Sequence, residues 1–260
     1  MSLPKLQDWF DTKQILHDAL QIVLRARLID RAPLPNSLQY GTVPTHFGAT
    51  SGDLVFGGVL ELHYGSGDLV YRRDGEALFA IDINGKSQTE VFDLVFASFA
   101  DAGLDLNPTR DKIVGNTPFA LDFSQASHYA EVQWRMYTAL CMLKGRIAGP
   151  QTPVALWPHG FDISTLWFPK VMDEQNEPHI NFGFSPGTAE FSQPYIYFYA
   201  WPLPETLPEG LPDIVTWNTA WSTPGGMITY DKFYNERQPE IVISDILTDI
   251  HKLVAPMLKK

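Results

Sequence analysis

The sequence predicts an α+β protein made of two successive halves, each a helix, an antiparallel β-meander and a second helix, packed into one compact body. Three observations predict it. The apolar residues change twice from helical to strand periodicity along the 260 residues. The strand-like runs are joined by Gly, Asp and Ser turns without crossover helices, which indicates antiparallel pairing. Helical segments also precede and follow each group of strands.

The first half opens with an amphipathic helix. Its apolar residues recur at helical spacing, which predicts a helix from Asp11, expected as its cap, to about Ile29. Ser87 and Glu90 form a capping box that opens a second helix, and Gly103 stops it. Between the two helices, strands are expected near residues 39–47, 54–64, 69–73 and 77–83.

The second half repeats this order. Ser127 is expected to cap a helix that ends near Lys144, and Pro239 opens the last helix. The strand at 195–201 is apolar or amphipathic on both faces, so it should lie centrally in its sheet and be covered twice. The other strands are expected near residues 154–157, 161–168, 179–184, 215–221 and 227–230. The predicted organisation is a first half at 1–103, a connector at 104–124 and a second half at 125–260, intimately packed or forming one domain.

Charge and composition restrict the partners and the location. Thirty acidic and nineteen basic side chains give a net charge of −11, so neither nucleic acid nor an anionic membrane is expected as a partner. The apolar runs are shorter than the roughly 18 residues that a membrane helix needs, and no secretory signal pattern opens the chain. A single cysteine, Cys141, suits a cytoplasmic protein, and its helical apolar surroundings predict a buried thiol.

Common catalytic and cofactor motifs are missing from the sequence. It contains no GxSxG, no GxGxxG after a strand and no GxxxxGK before a helix. The histidines form no HExxH pair, and there is no cysteine cluster. Neither a metal nor a cofactor is therefore expected.

The region from Trp157 to Trp221 is the best functional lead, because it holds five of the seven tryptophans and four aromatic residues alternating along one strand. Such a cluster is typical of a large shared core or of a lined cleft. Polar residues at neighbouring strand ends are expected to join these rings around one cavity. The candidate ligand-binding residues are Trp157, His159, Asp162, His179, Asn181, Tyr197 and Trp201.

Each polar candidate also has a structural interpretation. His159 is either a base or hydrogen-bond anchor oriented by Asp162, or a side chain bound to a backbone carbonyl beside an acid that closes a turn. The two would face opposite sides of a strand unless the chain bends at 158–160. His179 and Asn181 share one strand face, which lines a pocket or faces solvent.

An ordered series of aromatic residues, glycines and prolines runs through the second half. It comprises Trp134, Trp157, Gly160, Phe161, Asp162, Gly183, Phe184, Pro186, Gly187, Tyr195, Tyr197, Tyr199, Ala200, Pro202 and the segment from Gly226 to Asp231. The series resembles a family of uncharacterised bacterial proteins known only as a domain of unknown function, and the likeness covers nearly the whole chain. The resemblance implies a soluble bacterial protein with one co-extensive fold, and it supplies no mechanism.

Two hypotheses of function follow. In the first, the aromatic region lines a cleft for a small organic ligand, for binding or for a modest acid/base reaction. In the second, the same rings form a core or a self-association surface, which leaves a homo-oligomer open as the partner. A cleft should leave several rings partly exposed beside a titratable group with a shifted pKa, whereas a core or interface should bury them all.

Overall fold

The computed structural model describes residues 1–203 and 208–258, and it confirms the α+β class and the predicted order of elements. Helices of this part of the chain are α1 Phe10–Leu28, α2 Gln88–Asp101, α3 Phe123–Arg146 and α4 Pro239–Leu258. Five strands lie between α1 and α2: β1 Val43–Thr45, β2 Gly48–Thr50, β3 Val59–His63, β4 Asp68–Arg73 and β5 Glu76–Asp82. Between α3 and α4 lie β6 Ala155–Trp157, β7 Asp162–Trp167, β8 His179–Ser185, β9 Tyr195–Trp201, β10 Thr216–Asn218 and β11 Gly225–Thr229. None of the helices in the described ranges has the length and apolar character needed to cross a bilayer.

The chain divides into two compact units. The first unit comprises residues 5–134 and 156–161, and the second comprises residues 1–4, 135–155 and 162–260. The boundary at 134/135 falls within α3. Residues 156–161, which start inside β6, thus belong to the first unit, although their neighbours on both sides in sequence belong to the second.

In the first unit, β1 to β5 form an antiparallel sheet in which each strand pairs with the next in sequence. Helix α1 packs on β3 and on α2, and α2 packs on β5. Three rings fix this packing: Phe99 of α2 lies edge-on to Tyr71 at 4.9 Å and to Phe79 at 5.1 Å between ring centroids. Edge-to-face pairs at this spacing add to the stabilisation from burial.

The sheet of the second unit has the strand order β10-β11-β9-β8-β7-β6, so β9 lies inside the sheet, as predicted. Helix α4 packs on β8. It buries Ile243, Leu247 and Ile250, which recur at helical spacing. On the sheet, Phe182 of β8 and Phe198 of β9 are paired neighbours and are fully buried.

The cap of α3 differs from the prediction. The helix begins at Phe123, and the Asp122 carboxylate accepts the backbone N–H groups of Ser124 at 2.9 Å and Gln125 at 3.0 Å. Ser127 lies inside the first turns, where its hydroxyl donates to the Phe123 carbonyl at 2.7 Å. Asp122 takes the capping role because a charged acceptor near a helix N-terminus also interacts favourably with the helix dipole.

Two further predictions are wrong in detail. Cys141 is exposed rather than buried, because the buried stripe of α3 passes through Leu140 and Leu143 on another face of the helix. The strand expected at 39–47 is shortened to β1, since residues 35–40 form 3₁₀ turns. Asn36 and Ser37 adopt the left-handed conformation there, with φ of 53° and 57°, and interrupt extended backbone.

Candidate functional site

The seven predicted site residues are divided between the two units. Trp157 and His159 lie in the first unit. The second unit holds Asp162, His179, Asn181, Tyr197 and Trp201. Each group has its own surroundings.

Trp157 and His159 belong to a tight turn that follows β6. The Trp157 carbonyl accepts the N–H groups of Gly160 at 3.2 Å and of Phe161 at 2.8 Å, so the chain does bend at 158–160. Phe161 has a φ of 58°, and its fully buried ring lies 5.5 Å from that of Tyr129 and 5.7 Å from that of His17. The buried ring holds this strained residue in place.

The carbonyl of Pro158, at the tip of the turn, joins the turn to α1. It accepts hydrogen bonds from His17 Nε2 at 2.6 Å and from the side-chain amide of Gln21. Because a carbonyl only accepts, Nε2 of His17 must carry a proton. In the neutral imidazole, Nδ1 then keeps its lone pair and remains an acceptor.

A cleft with a volume of about 620 Å³ lies between α1, the turn and the 109–114 segment, entirely within the first unit. This volume is in the range of small-molecule sites. Trp157 is half-buried and Tyr40 is 45% exposed, so both present ring surface. The cleft is lined by His17, Asp18, Gln21, Leu24, Arg25, Ser37, Tyr40, Asp111, Lys112, Val114, Trp157, Pro158 and His159.

Arg25 is the most deeply buried cation of the cleft, with 7% of its surface exposed. One end of its guanidinium, Nη1, donates to Thr109 Oγ1 at 3.5 Å and to Asp111 Oδ2 at 3.3 Å. Both bonds are long, and 66% of the Asp111 side chain is exposed. The Nε atom is buried and has no hydrogen-bond partner among the described residues. Leaving a buried donor unpaired is costly, so the protein alone leaves this charge incompletely compensated.

Two neighbouring residues of α1 have shifted pKa values. Burial lowers the pKa of His17, and the hydrogen bond to Pro158 and the charge of Asp18 oppose this only in part. Burial raises the pKa of Asp18, against a hydrogen bond from Gln14. His17, which lines the cleft, is thereby favoured in its neutral form, in which Nδ1 is an acceptor.

Acidification from about pH 7.5 to about pH 5.5 is expected to destabilise the protein through His17. The pKa of His17 is lowered in the folded state, so the unfolded chain binds a proton that the folded chain does not. Stability is therefore lost as the pH falls through about 6.5, the pKa of an unperturbed histidine. Urea unfolding midpoints at the two pH values measure this effect.

The matched control is His17→Gln, whose amide still has a donor for the Pro158 carbonyl. It should lose less stability over the same interval. Asp18, Lys13 and His159, the charged or titratable groups near His17, are present in both proteins, so the difference isolates His17. An equal pH dependence of the two proteins would show that His17 titrates normally.

The five candidates of the second unit share one face of its sheet. Cross-strand pairs place His179 opposite Trp201 and Gly183 opposite Tyr197. Gly183 also pairs with Ser164 of β7, two residues from Asp162. Because side chains alternate along a strand, these positions all point to the same side. This surface is called the ring-bearing face, and it carries Asp162, Ser164, His179, Asn181, Tyr195, Tyr197, Tyr199 and Trp201.

Hydrogen bonds tie the polar groups of the ring-bearing face to one another. The Tyr197 hydroxyl donates to Asp162, and Asn181 Nδ2 donates to the Tyr199 hydroxyl at 2.8 Å. His179 Nδ1 donates to the Glu177 carbonyl at 3.0 Å, and the His179 ring stacks on Trp201. Burial and the Asp162 charge raise the pKa of Tyr197 well above its usual value. The Tyr197 hydroxyl is thus held as a structural donor and stays protonated at neutral pH.

The residues of α1 that line the cleft were missed by sequence reasoning. A signal for them exists in the spacing: Lys13, His17, Gln21 and Arg25 follow one another at intervals of four residues. This places four polar side chains in one row along a helix that is otherwise largely buried. Polar side chains on a buried helix need hydrogen-bond partners, and three of these four, His17, Gln21 and Arg25, line the cleft.

Comparison with known proteins adds the family. A model of a family of unknown function, DUF5996, matches residues 2–259. No curated protein and no solved structure gives a significant match. Within residues 1–203 and 208–258, no group of three His, Cys, Asp or Glu side chains is arranged to hold a metal ion.

Proposed function

We propose that this chain, which belongs to the DUF5996 family of unknown function, binds a small organic ligand in the cleft of its first unit. The observation that carries the proposal is the cleft of about 620 Å³ with partly exposed rings beside a histidine of lowered pKa. This combination is typical of binding sites and not of a sealed core.

Different residues of the lining would contact different parts of the ligand. Trp157 and Tyr40 offer flat apolar surface, on which an aromatic or otherwise planar group of a ligand would stack. His17, fixed by its Nε2 hydrogen bond, offers Nδ1 as an acceptor for a ligand N–H or O–H. His159 is exposed at the same turn, and its ring lies 6.1 Å from that of Trp157. A ligand with one planar group and one polar group fits these features.

Tryptophan fluorescence tests the proposal with three small probes: phenylacetamide, phenylacetate and 2-phenylethylamine. At least one probe is expected to quench the emission saturably with a Kd of about 1 mM or tighter. A weak Kd is expected because each probe is smaller than the ligand and makes fewer contacts. The quenching should disappear in Trp157→Phe, because this variant removes the indole that lines the cleft.

Trp201→Phe is the matched control, since it removes a half-exposed indole from the ring-bearing face of the other unit. It should leave the quenching unchanged. Saturable quenching that survives in Trp157→Phe and is lost in Trp201→Phe would contradict the cleft and favour the ring-bearing face. Failure of all three probes to bind would count against the proposal as a whole.

For the location of the protein we propose the cytoplasm. Cys141 is the single cysteine and is exposed, and an accessible lone thiol persists most readily in a reducing compartment. Cell fractionation tests this, and recovery of the protein from the medium or from washed membranes would contradict it.

A further inference from the structure

We infer that the ligand of the cleft is an organic carboxylate whose charged group binds Arg25. This inference rests on the proposed function and names its ligand class. It starts from the state of Arg25, a cation more than nine-tenths buried that lines the cleft and has an unpaired Nε.

The geometry of the guanidinium selects the anion. Its two protein bonds both come from Nη1, to Thr109 and Asp111. The edge formed by Nε and Nη2 donates no hydrogen bond to the described residues, and its Nε is enclosed by the protein. This edge presents two parallel N–H groups, which match the two oxygens of a carboxylate. A carboxylate that enters from the cleft and displaces the groups that enclose Nε would satisfy the unpaired donor and neutralise the buried charge.

The other charges of the cleft are compatible with an anion. Lys112 is an exposed second cation of the lining. Asp111 is largely solvated, so its charge is screened more than that of Arg25. Asp18 accepts a hydrogen bond from Gln14 and lies close to Lys13, which offsets its charge. The apolar part of the ligand would then lie toward Trp157 and Tyr40.

Isosteric probes test the inference on the full-length protein. Phenylacetate and phenylacetamide have nearly the same shape and differ in charge, and 2-phenylethylamine carries the opposite charge. Phenylacetate is expected to bind about tenfold or more tightly than phenylacetamide, because hydrogen bonds to a charged partner are the stronger ones. Phenyl phosphate, as a fourth probe, distinguishes a phosphate site from a carboxylate site.

Three variants connect the preference to Arg25. Asp111→Asn removes the competing carboxylate from an exposed position, so it should tighten phenylacetate binding about two- to fivefold and leave phenylacetamide unchanged. Arg25→Gln should reduce the preference for phenylacetate to about twofold or less. Its thermal unfolding is checked first, and Arg25→Lys, which keeps the charge but loses the paired donors, should retain an intermediate preference.

The outcomes are separable. Equal binding of phenylacetate and phenylacetamide would overturn the carboxylate inference and leave the proposed binding function standing. Tighter binding of 2-phenylethylamine would overturn it in favour of a cation held by Asp18 and Asp111. Weaker phenylacetate binding in Asp111→Asn would overturn it as well, because it would show that the ligand does not compete with Asp111 for Arg25. Tighter binding of phenyl phosphate would replace the carboxylate by a phosphate, and no binding of any probe would remove both proposals.

Discussion

Phe198→Ala is expected to lower the free energy of unfolding by about 3 to 5 kcal/mol. Phe198 is 1% exposed and lies on β9, inside the six-stranded sheet. Its ring is 6.1 Å from that of Trp217 and crosses the backbone of Gly226, its cross-strand partner, where a side chain would collide with it. Truncation to alanine leaves a cavity that a regular sheet cannot close easily. The urea unfolding midpoint measures the loss.

Phe123→Ala is the control, because it deletes the same ring from a position that is 42% exposed. Its loss should be clearly smaller. If Phe198→Ala cost less than about 1 kcal/mol, the interior of this sheet would be able to collapse around the missing ring, and the packing described above would be wrong.

Gly183→Ala is expected to cost about 1 to 3 kcal/mol, although it adds a single methyl group. Gly183 lies opposite Tyr197 in the β8–β9 pair, and a Cβ atom there would overlap Cζ and the hydroxyl oxygen of Tyr197. The ring cannot swing away cheaply, since its hydroxyl is bound to Asp162 on the far side of Gly183. Urea unfolding of the variant measures the cost.

A double-mutant cycle with Tyr197→Ala identifies the cause. Once the Tyr197 ring is removed, alanine at position 183 should be tolerated. The double variant should therefore lose about 1 kcal/mol or more less unfolding free energy than the sum of the two single variants. Additive losses would show that the missing side chain at Gly183 is not what makes room for the Tyr197 ring.

Elements whose signals are local could be predicted from the sequence. The strict alternation of rings predicted the bounds of β9 to the residue, and the capping box of Ser87 and Glu90 is present as expected. Pro239 begins the last helix for the same kind of reason, because its fixed φ suits a first helical residue. The sequence predicted Ser127 as the cap of α3 and the structure has Asp122 instead, because apolar periodicity does not fix the residue at which a helix begins.

The cleft could not be predicted, because its parts come together only in the folded chain. The bond between His17 and the Pro158 carbonyl joins residues 141 positions apart, and no local pattern encodes such a pairing. Alternation did predict that His179 and Asn181 would share a face of their strand. What covers the rings beside them depends on loops and packing, which alternation does not describe. The single cavity expected to join all seven candidates stays a prediction.

Because residues 156–161 belong to the first unit, that unit cannot be obtained by a simple truncation of the chain. A fragment that ended at residue 134 would keep α1 and the five-stranded sheet but would lose the Pro158 carbonyl, which His17 and Gln21 need as acceptor. It would also lose the paired backbone bonds between Thr42 and Leu156. The part of the cleft wall that Trp157 forms would be absent as well. The first unit therefore cannot be expressed with its cleft intact as one continuous fragment that ends at residue 134, because residues 156–161 would be missing.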